Sequence, residues 1–351
     1  MQAEGRELVS LMRGEPDFPT PAHIKAAAVE ALGRGRTAYP DNRGELALRT
    51  AIGERHGYAP ATEVLVTTGA TLGLYCAFAA LLQPGDEVLL PDPVYDAYHS
   101  AIRLAGGVPV SVPSRIVDGR FVLGDLAASV TSRTRVLLLN TPWNPTGTVF
   151  TLAELQAIAG VVERHGLTVV SDEIYDHLTF GAARHVSPAT VMRERTVLVQ
   201  SLSKTYAMTG WRCGYCCGPE QIIGQMFLVL QQVSRGPATF VQDAAVAALT
   251  GPQDCVEAMR VEYERRLGVV RAALGERVMA PEGGFFAMVR VGDLGPANDV
   301  RQRLLREQGV VVMHGSAYGA CAEGTLRVAF SAAAPLAEGL RRLREGLLWQ
   351  A

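Results

Sequence analysis

The stretch Ser201-Leu202-Ser203-Lys204-Thr205-Tyr206-Ala207-Met208-Thr209-Gly210-Trp211-Arg212-Cys213-Gly214-Tyr215-Cys216-Cys217-Gly218 decides how the rest of the chain is read. Of the 33 basic residues only Lys25 and Lys204 are lysines; the other 31 are arginines. Arginine carries a surface charge as well as lysine does, but only lysine can shed its proton and, as a free amine, condense with a carbonyl. Lys204 stands between two hydroxyl residues, Ser203 and Thr205, with Ser201 before it and Arg212 eight residues on. Hydroxyls with one guanidinium suit a phosphate monoester. An aldehyde that also carries a phosphate is pyridoxal phosphate. The plainer reading, a chance surface lysine, leaves these neighbours without a purpose. Lys25, mid-helix in an amphipathic segment, has no such setting and reads as a solvated charge.

Outward from this stretch the chain alternates strand, turn and helix. Thr196–Gln200 is a strand that leads into it. Upstream come the strand Val64–Thr67, the turn Gly69-Ala70-Thr71 and the apolar helix Leu72–Leu82. The strand Glu87–Leu90, a loop with Tyr95, the helix Ala97–Leu104 and the strand Val108–Val112 follow. Arg135–Leu139 runs into Asn140-Thr141-Pro142-Trp143-Asn144-Pro145-Thr146-Gly147. The helix Leu152–His165 leads to Leu167–Val170 and Ser171-Asp172-Glu173-Ile174-Tyr175. Such alternation predicts an α/β fold with a mostly parallel sheet flanked by helices. Ligands bind beyond the carboxyl ends of these strands, and every polar loop named here follows a strand.

Downstream, three helices (Pro219–Val233, Phe240–Leu249, Gln253–Leu274) precede a mixed segment. Its strands are Phe285–Val291, Val310–Met313 and Thr325–Phe330, its helices Asp299–Gln308 and Ala334–Leu347. The expected organisation is a large domain, residues 40–265, and a small α+β domain built from both chain ends, 1–39 and 266–351. In the first of these segments Gly14–Pro21 is a breaker-rich loop, and a helix Ala22–Gly33 places Ile24, Ala28, Ala31 and Leu32 on one face.

A net charge of −2 and a 48% hydrophobic composition describe an ordinary globular chain. No basic run suggests nucleic acid, no apolar run approaches a membrane span, and Met1–Glu7 lacks the apolar core of a signal peptide, so a cytoplasmic protein is expected. Cys213, Cys216 and Cys217 resemble a metal cluster only in spacing. Strand alternation puts Cys216 and Cys217 on opposite faces and no histidine is near, so buried structural cysteines, not a metal site, are expected.

The combination of Asn144-Pro-x-Gly, Asp172-x-x-Tyr175, Ser201-x-x-Lys204, Arg212 and Arg327 resembles the fold type I pyridoxal-phosphate aminotransferases of class I/II, the aspartate aminotransferase-like branch. The likeness covers nearly the whole chain, from Gly14-Glu15-Pro16-Asp17-Phe18 to Thr325-Leu326-Arg327-Val328. It implies the cofactor pyridoxal 5'-phosphate and a role for each residue. Lys204 is the Schiff-base lysine and the base that moves the Cα proton. Asp172 partners the pyridine nitrogen. Tyr175 and Asn144 bond the phenolic oxygen, and Tyr95 stacks on the ring. Ala70 and Thr71, at a helix N-terminus, receive the phosphate with Ser201, Ser203 and Arg212. Tyr39 reaches the phosphate from the neighbouring subunit of a homodimer with shared active sites. Arg327 grips the substrate α-carboxylate, helped by the Gly14 backbone.

Besides a short lead before Gly14, two features near the pocket depart from the family pattern. Trp143 stands before Asn144, where an indole is expected to narrow the substrate pocket. Arg13 puts a charge beside Gly14, and Arg13, Arg43 and Arg235 are the candidates to hold a second substrate carboxylate. The resemblance implies exchange of an amino group between an L-amino acid and a 2-oxo acid. Other chemistry on the same cofactor (β-elimination, cyclisation, condensation) shares its carbanion and stays open from sequence. A catalytically silent binding module does not suit the intact Lys204, Asp172, Tyr175 and Arg327.

Overall fold

The strand that feeds Ser201–Gly218 lies inside an eight-stranded sheet. In chain order its strands are β1 (Val64–Thr67), β2 (Glu87–Asp92), β3 (Val108–Val117), β4 (Arg120–Leu123), β5 (Thr134–Asn140), β6 (Thr168–Asp172), β7 (Thr196–Ser201) and β8 (Gly214–Cys217). The computed structural model, which describes residues 7–348, orders them β1-β8-β7-β6-β5-β2-β3-β4. The run from β7 to β3 is parallel throughout. Strand β8 is antiparallel to both its neighbours, and β4 is antiparallel to β3. The β3–β4 hairpin is absent from the sequence reading, which ends the strand at Val112. The outer half of β3 is largely exposed, so no hydrophobic alternation marks it.

The helices used below are α1 (Ala22–Gly33), α2 (Ala70–Leu81), α3 (Ala97–Leu104), α4 (Leu152–His165), α5 (Glu220–Val233), α6 (Thr239–Thr250), α7 (Asp254–Leu274) and α8 (Leu336–Leu348). Alternate strand residues serve opposite cores. Leu65, Val88, Leu138 and Val170 pack under α2 and α5. Leu89, Leu137 and Val169 pack on Leu155 and Ile158 of α4. Burial on both faces is why these strands read as continuous apolar runs. Cys216 and Cys217 enter different cores, as the strand period requires.

Ile24 and Ala28 of α1 are buried with Val64, Val66 and Tyr215 of the large sheet and with Ala244 and Ala248 of α6. Helix α1 thus finds its apolar partners on the large sheet. Leu32, placed on the same face from sequence, is 46% exposed.

A second, antiparallel sheet has the order β9-β11-β10, from β9 (Phe286–Arg290), β10 (Met313–His314) and β11 (Thr325–Ala329). The single strand expected over Val310–Met313 is divided. Val310–Val311 pairs in parallel with Val9–Ser10, whereas Met313 and His314 pair with β11. Leu267 and Val270 of α7 and Leu340 and Leu343 of α8 close this sheet's core.

Register fixes the working edge of the large sheet. Asn140 lies opposite Asp172, Asp172 opposite Val199, and Gly214 opposite both Ser201 and Thr67. The last residues of β1, β5, β6 and β7 therefore share one rim.

Candidate active site

At the end of β7 the chain turns through one helical turn, Leu202–Thr205, whose first free N–H, that of Ser203, is capped by Ser201 Oγ at 3.1 Å. The turn directs Lys204 into a cavity of about 530 Å³. Its Nζ donates to the Gly14 carbonyl at 2.7 Å. Burial lowers the Lys204 pKa to about 8; nearby Glu15 and Asp172 oppose the shift and Arg212 adds to it. A desolvated amine is thus available as a nucleophile near neutral pH.

Asp172, the last residue of β6, is 2% exposed. Burial raises its pKa to about 6, against two hydrogen bonds that favour the carboxylate. Tyr98 of α3 donates to Oδ2 at 2.6 Å, and the Ile174 N–H donates to Oδ1 at 3.3 Å. On the neighbouring strand, Asn140 Nδ2 donates to the Asp172 carbonyl at 3.0 Å and its Oδ1 accepts from the Asn144 N–H at 2.7 Å. Asn140 thereby fixes the turn that presents Asn144. Tyr175 is buried edge-on against Phe285 and Phe286, with centroid separations of 5.3 and 6.2 Å. Burial, and next the charge of Asp172, push its pKa up.

Arg327 enters from β11. Its Nη1 donates to Asn144 Oδ1 and its Nη2 to the Met12 carbonyl, both at 3.1 Å. The guanidinium stacks between Phe286 at 4.2 Å and Tyr318 at 4.7 Å. It is 7% exposed, and among the described residues its Nε has no partner. Among the described residues no carboxylate pairs with it. A buried cation without an anion is costly, so this position is built for an anionic ligand.

The opposite end of the cavity forms an anion cup. Gly69, at φ +79°, starts α2 so that the Ala70 and Thr71 N–H groups belong to its unpaired first turn. A Cβ on Gly69 would stand 2.5 Å from Arg212 Nη2, which shows how closely the guanidinium approaches this turn. Ser201 and Ser203 add hydroxyls 2.8 Å apart.

Apart from the candidates for a second carboxylate, every residue assigned to cofactor or substrate from sequence lines this one cavity, with a single exception. Tyr39 lies outside it and is 88% exposed. Trp143 overturns its expectation: it is 1% exposed, its Nε1 donates to the Pro93 carbonyl at 2.7 Å, and it stacks on Phe150 within the core over α4. Arg13 is paired with Glu15 on the surface, Arg43 covers the Phe227 ring at 4.5 Å, and Arg235 bonds Asn42 at 3.2 Å. None of the three lines the cavity. Sequence reading missed Tyr98, Asn140 and Tyr318. Only Asn140 carried a signal, as a buried amide at a strand end.

A parallel-sheet enzyme with a desolvated amine, a buried carboxylate, an anion cup and an unpaired guanidinium around one cavity is equipped to transform a small anionic molecule that carries a carbonyl or amine. The chain belongs to the family described as Aminotransferase class I and II, whose profile matches residues 6–347. It is 38% identical to aromatic-amino-acid aminotransferase 2 of Thermococcus litoralis, over 98% of this chain and 93% of the relative. It is 40% identical to an arginine–pyruvate transaminase of Pseudomonas aeruginosa, over 97% and 90%. Among solved structures, the aromatic aminotransferase of Pyrococcus horikoshii superposes with a TM-score of 0.93 at 40% identity, covering 98% of this chain and 97% of the other. The chain is an enzyme that moves an amino group between an amino acid and a 2-oxo acid.

Proposed function

We propose that the cavity holds pyridoxal 5'-phosphate and that the protein exchanges amino groups by a ping-pong cycle, donor first and 2-oxo acid second. When bound, the cofactor supplies an electron-accepting ring and alternates between aldehyde and amine forms. The fit rests on the residues: a hydroxyl, guanidinium and helix N-terminus cup for a phosphate, an amine for an aldehyde, and a buried carboxylate for a ring N–H.

Lys204 holds the aldehyde carbon when substrate is absent and, once displaced, takes the proton from the substrate Cα. Asp172 accepts the ring N–H and keeps it charged. Asn144 and Tyr175 donate to the phenolic oxygen, and Tyr95 covers the ring. Ala70, Thr71, Ser201, Ser203 and Arg212 bind the phosphate. Arg327 binds the α-carboxylate, with the Gly14 segment over it. Tyr39 reaches the phosphate of a second copy, which makes the working form a homodimer with shared sites. The six cysteines are all free among the described residues, which supports a cytoplasmic setting.

The observation that carries this reading is the buried Arg327, without a carboxylate partner among the described residues, in the same cavity as Lys204 and Asp172. The test is spectroscopic. Protein reconstituted with pyridoxal phosphate should absorb in the visible, lose that band on addition of an amino acid, and regain it on addition of a 2-oxo acid. A band that an amino acid bleaches but no 2-oxo acid restores, with ammonia released, would replace transfer by elimination.

A further inference from the structure

Among the described residues three cations line the cavity, Lys204, Arg212 and Arg327, and the proposed function gives each an anion or a carbonyl to serve. Arg13, Arg43 and Arg235 lie outside this chain's own cavity. The wall does hold an acid with no assigned task. Asp96 follows Tyr95, immediately ahead of α3, and is exposed to the cavity. Among the described residues its carboxylate makes no ion pair and accepts no hydrogen bond. It lies close enough to Arg327, Tyr95 and Tyr318 that its charge works to raise the pKa of each.

The surroundings of Arg327 set the direction of a bound side chain. Met313 is opposite Arg327 in the β10–β11 register, the Met12 carbonyl accepts from its Nη2, and Tyr318 covers its guanidinium. Met12, Met313, Tyr95 and Tyr318 line the cavity with Asp96. An amino acid anchored by its α-carboxylate on Arg327 thus meets thioethers, phenol rings and one free carboxylate. Thioethers and rings accept a long methylene stem, and a guanidinium can stack on a ring while it donates to a carboxylate. A side-chain carboxylate in the same place would meet the like charge of Asp96.

We propose that Asp96 selects amino donors whose side chain ends in a cation, a guanidinium or an ammonium group. This rests on the aminotransferase reading of the cavity and names the substrate class within it.

The test compares L-arginine with L-citrulline, its neutral near-isostere, as donors to pyruvate on the reconstituted holoenzyme. L-Aspartate and L-norleucine serve as further donors. For a partly solvated pair, kcat/KM for arginine should exceed that for citrulline by about tenfold, with aspartate slowest. The ratio should shrink as salt is raised, because the attraction is screened. Asp96→Asn should bring the ratio to about one, and Asp96→Glu should keep arginine ahead. A ratio near one in the unaltered enzyme, or one that Asp96→Asn leaves unchanged, overturns the proposal while transfer from norleucine still supports the aminotransferase. A holoenzyme that transfers from none of the four donors overturns the underlying reading, and the proposal with it.

Discussion

Tyr98 gives its phenolic hydrogen to Asp172 Oδ2 at 2.6 Å, and both side chains are buried. The bond joins α3 to the rim of β6 and works against the burial that raises the Asp172 pKa to about 6. Without the hydroxyl, desolvation acts with less opposition, so the pKa must move further up and the ionised fraction at pH 7 must fall. In the cofactor-free protein, Tyr98→Phe should shift the titration of the Asp172 carboxyl upward by about half to one pH unit, read by carbon-13 NMR. Superimposable titration curves for the two proteins would remove Tyr98 from the machinery.

Arg327 offers a planar, two-pronged donor set between two rings, which lysine cannot reproduce. Arg327→Lys should lower kcat/KM about 100-fold, with KM for the amino donor carrying most of the change. The cofactor's visible band should be retained. Steady-state kinetics beside a spectrum of each protein checks both halves.

Much of this site could be read from the chain because its chemistry sits on residues that are rare or misplaced as bulk material. Lys204 is one of two lysines, Asp172 ends an apolar strand, and Arg327 lies between apolar neighbours. Tyr98 could not be found that way, since a tyrosine on the apolar side of a short helix reads as packing. The two pairings that divide Val310–Met313 depend on Val9–Ser10, far away in sequence, and on β11. Trp143 misled for a related reason. Its sequence position adjoins Asn144, but the turn sends the indole into the core over α4 and the amide into the cavity. The exposed β3–β4 hairpin buries too little to leave a pattern.

Gly69 combines φ +79° with a Cβ position 2.5 Å from Arg212 Nη2. An added methyl must displace the guanidinium and strain the turn that opens α2. Gly69→Ala should weaken pyridoxal phosphate binding about 10- to 100-fold, read by titrating the visible band, with the far-ultraviolet spectrum unchanged. Wild-type affinity in the variant would show that this approach does not shape the cup.

Lys204 has its pKa lowered to about 8, chiefly by burial. Only the free amine attacks an aldehyde, so the rate of cofactor uptake by stripped protein should rise with pH through about 8 and level off above it. The direction follows from the sign of the shift: a lowered pKa frees the amine at lower pH than the ordinary 10.5. Stopped-flow absorbance across this range gives the midpoint, and Lys204→Arg should show no uptake phase at any pH.

Tyr39 is 88% exposed and outside its own chain's cavity, so any contact with cofactor has to be made in a second copy. The arrangement predicts complementation. Tyr39→Phe should weaken cofactor binding about tenfold in a homodimer, by loss of one hydrogen bond to a charged group, and Lys204→Ala should bind no cofactor covalently. Subunits exchanged between the two variants pair one chain with an intact Lys204 and another with an intact Tyr39. One site of each hybrid then recovers both residues, and titration should find a class of tight sites absent from either parent. If Tyr39 acts within its own chain, mixing restores nothing, because the chain that keeps Lys204 lacks the hydroxyl.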